Sequence, residues 1–419
     1  NSLFPQNYEF KESGNYIIIR KAPIRLTIVT KKGEEKDKFY SVSGYVYDEQ
    51  SGIGINEASI YEKTILASAF TNDFGYFKIK LKSSKQNFAE LYISKEFYED
   101  TSIIIETKKN QEISVTLMPL QTLVNNVTVS PEDYLSTDTI KKPDSIPLVN
   151  TSTTDSVKVE KFGLSKFFLS AKQKVQSANL KNFFTTRPFQ VSLLPLLSTH
   201  GLLSAQVVNN FSLNIIGGYT GGTNGVELGG LFNIDKKDVK YMQAAGIFNV
   251  VGGKLTGLQL AGISNTVLDT VTGFQVAGIN NFVKGNFRGL QMAGIYNHIT
   301  DSLSGVQAAG IGNFANKKVS GLQIAGIVNF SNKQTAGVQV AGIVNYSTKL
   351  RGLQVGLINI VDTSEGFSFG LINIVLHGYH KLSISTNEVM NINVAYKTGN
   401  SKFYSILIGG WNAKSADTV

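Results

Sequence analysis

Cysteine is absent from this sequence, which excludes a disulfide framework, a thiolate metal site and, within this stretch, a lipid-modified cysteine. No window approaches 18 continuous apolar residues, so no transmembrane helix is expected. Secretory leader features are missing too. The chain opens at Asn1 with Leu3 and Phe4 already apolar and stops at Val419 soon after a strand-like run, so both ends are expected to belong to a longer precursor. Charge is scarce where it matters most: one charged residue, Glu227, falls within the nine motif positions of the eight regular repeats described next. The net charge of +9 lies mainly in turns, in the run Lys31 to Lys38 and in one basic helix. No nucleic-acid signature accompanies it, so nucleic acid is not expected as a partner.

What is present is a motif that returns every 16 residues from Gly225 to Asn345 without insertion. Copies such as GLQLAGISN at Gly257, GFQVAGINN at Gly273 and GLQMAGIYN at Gly289 are followed by two decayed copies, at Gly352 and Gly366. A fixed short period marks a repetitive β-architecture whose units bury their faces on one another. Taken in alternation, the motif has a mostly large, apolar face (Leu258, Leu260, Phe274, Val276, Phe282, Leu290, Met292) and a small or neutral polar face (Gly257, Gln259, Ala261, Ile263, Asn265). With about four turn residues between copies, about 10 to 12 residues remain per strand, enough to cross a bilayer when tilted.

Two uncharged faces require an unusual solvent on one side, and lipid supplies it. The expected fold is therefore all-β: a periplasmic β-sandwich followed by a transmembrane β-barrel built from the 16-residue strand repeats, over 188–419 with repeats at 225–375. In that arrangement Gln259, Asn265, Gln275, Asn281, Gln291 and Asn297 face the lumen, and so do Gln307, Asn313, Gln323, Asn329, Gln339 and Asn345. The alternative is a parallel β-solenoid in which those amides form in-register ladders. It gains from the lack of any difference between odd and even copies and from the little shear that equal spacing allows. The barrel gains from the alternating hairpin pattern of 381–411.

The flanks suggest further modules. Tyr8-Glu9-Phe10 and Tyr16-Ile17-Ile18-Ile19 around Gly14-Asn15 form a hairpin pattern. Residues 1–30 thereby resemble the end of the STN domain of secretins and TonB-dependent receptors, which implies a periplasmic protein partner; a hairpin that merely caps the next domain is the other reading. Between 40 and 119, Ser41-Val42-Ser43-Gly44-Tyr45-Val46, Ile55 to Tyr61 and the turn Thr71-Asn72-Asp73-Phe74-Gly75 resemble a carboxypeptidase regulatory-like domain. This is a seven-stranded sandwich without peptidase chemistry, common at the front of Bacteroidota outer-membrane receptors. Residues 120–157 read as a polar linker with Pro131, Pro143 and Pro147. Residues 158–187 read as a basic amphipathic helix, with Lys166, Lys172 and Lys174 at lipid headgroups and Phe167 and Phe168 below them, or else packed on protein. The repeats are similar to bacterial surface proteins with GLQ- and GIN-type repeats, a resemblance that specifies architecture rather than activity.

Chemistry is hard to find. His377-Gly378-Tyr379-His380 offers only two imidazoles, and Glu96, Glu99 and Asp100 imply no apolar pocket. Neither a cofactor nor a metal nor an enzymatic activity is expected. The expectation is an accessory or scaffold subunit of a larger outer-membrane complex, with the N-terminal domains in the periplasm and outer-membrane lipid plus other outer-membrane or periplasmic proteins as partners. A passive or TonB-linked transport barrel and a surface-binding adhesin are the alternatives.

Overall fold

The computed structural model describes residues 8–13, 16–21, 29–31, 38–120, 159–400 and 402–412. The chain is all-β, with 61% strand and 7% helix. It divides into two compact units, Asn1–Ser156 with Lys174–Phe183, and Val157–Gln173 with Phe184–Val419. The linker expected at 120–157 lies almost wholly outside the described residues.

In the first unit, Tyr8–Ser13 and Tyr16–Lys21 pair antiparallel. Two four-stranded sheets follow. One contains Phe39–Asp48, Tyr76–Lys82, Asn110–Leu117 and the short Val29–Lys31; the other contains Ser59–Glu62, Ala67–Phe70, Phe88–Ser94 and Thr101–Glu106. Period-two alternation in these strands sends Val42, Val46, Phe77, Ile79, Leu81, Leu91, Ile93 and Val115 into one core. The end of the helix Ala171–Asn179 belongs to this unit through polar contacts: Asn179 Nδ2 donates to the Glu57 carbonyl at 2.7 Å, and Ser59 Oγ donates to Gln176 Oε1 at 2.9 Å.

The second unit contains the repeats, and they form a parallel β-solenoid of about 10 turns. The coils from Val239 to Ala315 each have a seven-residue strand, a Gly-Ile corner and a four-residue strand, as in Leu255–Ala261, Gly262-Ile263 and Ser264–Val267. A short turn leads to the next coil, and the pairing is parallel and in register: Gly257↔Gly273, Gln259↔Gln275, Asn265↔Asn281. Glycine is required at the corner, because a Cβ on Gly278 would collide with the Gly262 carbonyl oxygen one coil below. Two strips fill the interior. Near the corner are the amides, and toward the other turn is an apolar strip that includes Val239, Val251, Leu255, Val267, Val271 and Phe287.

This arrangement corrects the barrel expectation. The corner splits the supposed membrane-crossing strand into pieces of seven and four residues, and each pairs with its copy 16 residues away rather than with an antiparallel neighbour. A seven-residue strand spans only about 23 Å. The physical reason is translational: a repeat with one constant spacing and no odd-even difference superposes each coil on the last, whereas hairpins reverse direction at every turn. The strands ahead of the repeats obey the same rule, since Thr185–Leu194 pairs in parallel with Val207–Asn214. Beyond the coils, Tyr379–Ser385, Ile392–Gly399 and Tyr404–Trp411 form an antiparallel meander. It caps the last coil, where Asn373 Nδ2 donates to Ser405 Oγ at 2.7 Å.

The twelve amides assigned to a lumen are all fully buried, but they occupy a filled interior rather than a lumen. Each glutamine donates back to the preceding coil, Gln275 Nε2 to Gln259 Oε1 at 2.7 Å and Gln291 Nε2 to Gln275 Oε1 at 2.9 Å. Each asparagine donates forward, Asn265 Nδ2 to Asn281 Oδ1 at 3.0 Å, and also to a backbone carbonyl of the next coil, Val276 O at 2.9 Å. Two side-chain amide chains of opposite polarity thus run the length of the solenoid. Asn281→Ala would strip partners from Asn265, Asn297 and the Met292 carbonyl. At about 1–3 kcal/mol for each buried group left unpaired, this substitution should destabilise the solenoid by about 3 kcal/mol or more in urea unfolding. Asn280→Ala, on the outward side, should stay within about 0.5 kcal/mol; equal effects would contradict the ladder.

Candidate functional surfaces

With the amides turned inward, the large apolar side chains of the seven-residue strands point outward. Phe274 is 54% exposed and Met292 is 43% exposed. Alongside runs the corner isoleucine column, Ile263, Ile279, Ile295, Ile311, Ile327 and Ile343, each between 39% and 45% exposed. Ile263, expected on the inner face, is therefore at the outer edge, because the corner breaks the alternation. No charged side chain interrupts the band from Met242 to Phe369 at these strand and corner positions. Charge is confined to the opposite turns and the strand starts beside them, with Lys317 Nζ on Asp301 Oδ2 at 2.8 Å and Glu365 between Lys349 at 2.7 Å and Arg351 at 3.1 Å. At about 4.8 Å per coil, about 10 coils make an apolar edge nearly 50 Å long. A soluble monomer rarely exposes so continuous a patch, and such patches mark interaction surfaces.

The segment expected as one basic amphipathic helix is in two pieces, Gly163–Phe168 and Ala171–Asn179, preceded by a 3-10 turn at Val159–Lys161. The second piece buries Gln173, Gln176, Ser177 and Asn179, and leaves Val175 and Ala178 only half-buried, so the apolar spacing does not select the packed face. Lys166 and Lys172 are exposed, and Lys174 is half-buried. Phe167 is 84% exposed, whereas the Phe168 ring packs on Phe232 at 4.6 Å and on Phe248 at 5.5 Å. The two phenylalanines therefore do not share a lipid-directed face.

A buried carboxyl pair is the feature that sequence reasoning missed. Glu227 occupies the glutamine column and Asp235 occupies the position taken elsewhere by valine; both are fully buried. Asn214 Nδ2 donates to Glu227 Oε1 at 2.9 Å, and Gln243 Nε2 donates to Glu227 Oε2 at 2.8 Å and also to Asp235 Oδ2. Burial pushes Asp235 well above the usual carboxyl range, and the neighbouring Glu227 pushes it further; burial also raises Glu227. Thr220 Oγ1 donates to Asp235 Oδ1 at 2.5 Å, and the two acids terminate the glutamine ladder. The signal in the sequence was the lone acid in a column of amides.

The other sequence candidates are tied up separately. His380 contacts the Leu376 carbonyl through Nε2 at 3.2 Å and the Tyr396 hydroxyl through Nδ1 at 2.9 Å. Glu96 pairs with Lys181 at 2.6 Å, while Asp100 accepts from Ser94 Oγ. Among the described residues no group of three or more His, Cys, Asp or Glu is placed to hold a metal, and no helix is long and apolar enough to cross a membrane.

The fold and this surface together define a capped parallel β-solenoid with an amide interior and an apolar exterior. No protein-family model matches the chain, and no curated protein matches it.

The acid pair gives a pH dependence of definite sign. An unfolded aspartate ionises near pH 4, whereas native Asp235 keeps its proton to a higher pH. Between those limits the native state binds the extra proton, so the contribution of Asp235 to stability is greatest below about pH 4 and falls as pH rises through the native value. Asp235→Asn should therefore leave thermal stability at pH 4 little changed and raise it at pH 8, as read by circular dichroism. A variant less stable than the wild type at pH 8 would refute the assignment.

Proposed function

We propose that the chain is a non-enzymatic scaffold of the bacterial outer membrane, an accessory subunit that holds a larger complex against the lipid surface. The observation that carries this reading is the uncharged apolar edge nearly the whole length of the solenoid, opposite a charged edge. A solid with one greasy edge and one ionic edge suits the boundary between acyl chains and water, with the Gly-Ile corners and the flanking Phe274 and Met292 columns sunk into lipid and the lysine-rich turns above it. It lies on the bilayer rather than spanning it. A transport barrel loses its basis in the repeats, since their interior is filled by side chains and encloses no channel. The periplasmic setting and docking role of the sandwich and the hairpin before it rest on the sequence resemblances.

The full chain is expected to float with neutral phosphatidylcholine vesicles and to stay bound in 1 M salt, because apolar burial rather than charge provides the attachment. The pair Ile279→Lys and Ile295→Lys should abolish flotation while circular dichroism and unfolding midpoint are preserved. Flotation that survives this pair, or that disappears in salt, would defeat the lipid-edge reading. The scaffold reading has a separate check: mild detergent should release the protein from outer membranes in a stoichiometric assembly, and release as a lone monomer would count against it.

A further inference from the structure

The four-residue strands present a second outer face, and part of it is already occupied. Over the first coils, Phe232, Ile234, Phe248 and Val250 are 3% exposed or less because the segment Val159–Leu169 lies on them. Its anchors are visible. Phe232 and Phe248 stack at 5.2 Å with their planes 5° apart, and the Phe168 ring sits against both. Phe162 reaches Phe282 at 5.9 Å, and the Tyr219 hydroxyl donates to Glu160 Oε1 at 2.6 Å.

The solenoid repeats by translation, so one of the two columns that receive this segment, that of Ile234, Val250 and Phe282, runs on further along. Past Phe282 the same face continues through His298 (5.5 Å), Phe314 (6.4 Å), Phe330 (6.4 Å) and Tyr346, whose ring stacks on Phe330 at 5.0 Å and 14°. That last pair stacks as Phe232 and Phe248 do, but one column over: the register aligns Phe330 and Tyr346 with Ile234, Val250 and Phe282, and aligns Phe232 and Phe248 with Val328 and Val344. These side chains remain partly exposed where their counterparts in the first coils are buried. The contacts of the segment run from Tyr219 to Phe282, and the column outlasts them by His298, Phe314, Phe330 and Tyr346.

We infer that the uncovered face over Phe314, Phe330 and Tyr346 is a docking groove for a short helical segment of a partner protein that carries phenylalanines on one side, as Val159–Leu169 does. Shape and aromatic chemistry recognise it, and the column is the one whose Phe282 already holds Phe162. The groove lies on the side of the coil away from the Phe274 and Met292 columns, so the lipid edge and the partner face can be used at once. It supplies the partner-binding half of the scaffold reading but does not depend on lipid attachment.

The test uses the full chain in vesicle-free solution and a fluorescein-labelled peptide of residues 159–169 as probe, followed by fluorescence anisotropy. Saturable binding is expected. It should weaken at least tenfold in the double variant Phe330→Ser and Tyr346→Ser, and likewise when the peptide residue equivalent to Phe162 is replaced by alanine. A variant that leaves the groove alone, Ile279→Lys with Ile295→Lys, should bind the peptide normally, which separates failure of this inference from failure of the lipid edge. Unfolding curves check that the groove variant retains its solenoid; if it does not, Phe330→Leu with Tyr346→Leu, which keeps apolar volume but removes the rings, takes its place. No saturable binding, or binding indifferent to both groove pairs, overturns the inference. So does a groove variant that loses vesicle flotation instead of peptide binding, since the face would then belong to lipid.

Discussion

The structure depends on a match between two lengths: the spacing of parallel strands and the reach of a side-chain amide. When identical residues stand one coil apart, a glutamine or asparagine can donate to its own copy and accept from the other neighbour. The bonds run from 2.7 to 3.0 Å between Gln243–Gln259, Gln259–Gln275, Asn249–Asn265 and Asn265–Asn281. Satisfying the amides inside permits polar burial without the desolvation penalty of orphaned groups. It also requires strict register, because a single slip would misalign both ladders at once. Glycine at the corner follows from the same close stacking, and so does the need for caps. At one end the carboxyls of Glu227 and Asp235 accept from Gln243 and terminate the glutamines; at the other, Ser405 accepts the last asparagine donor.

Turning the amides inward has an outward consequence. Each strand has two sides, and a sequence that puts glutamine and asparagine inside must put the intervening leucine, valine, isoleucine and phenylalanine outside. The usual partition, apolar within and polar without, is thus partly inverted. Only the strip from Val239 to Val319 behaves as an ordinary core. The exterior then requires a medium other than water alone, and the molecule meets this requirement in two ways. One part of the surface is covered by the chain itself, where Phe168 rests on the Phe232 and Phe248 rings. The rest is an uncharged edge and an aromatic column, the surfaces that the proposed scaffold role would give to lipid and to a partner. A scaffold requires just such separate attachment surfaces on a rigid rod, and rigidity comes from the ladders.

Much of this was legible before the structure. The 16-residue period, the two-sided alternation and the membership of each column are local properties, fixed by spacing and by the strand's period of two. Gln259 and Asn265 were assigned to the enclosed side, and Phe274 and Val276 to the open side, on that basis alone. What spacing cannot state is which strand lies beside which. An antiparallel barrel and a parallel solenoid make the same demand for alternation, and they differ only in non-local pairing. The tertiary structure decided that, through the Gly-Ile corner that cuts each strand in two and moves Ile263 to the outside. It also decided the partnership of Glu227 with Asp235, eight residues away and on the facing strand, and the seating of Phe168 on rings more than sixty residues distant. Sequence determined the contents of every column, because columns follow from period and alternation. Folding determined what each column faces, because burial depends on contacts between residues far apart in the chain.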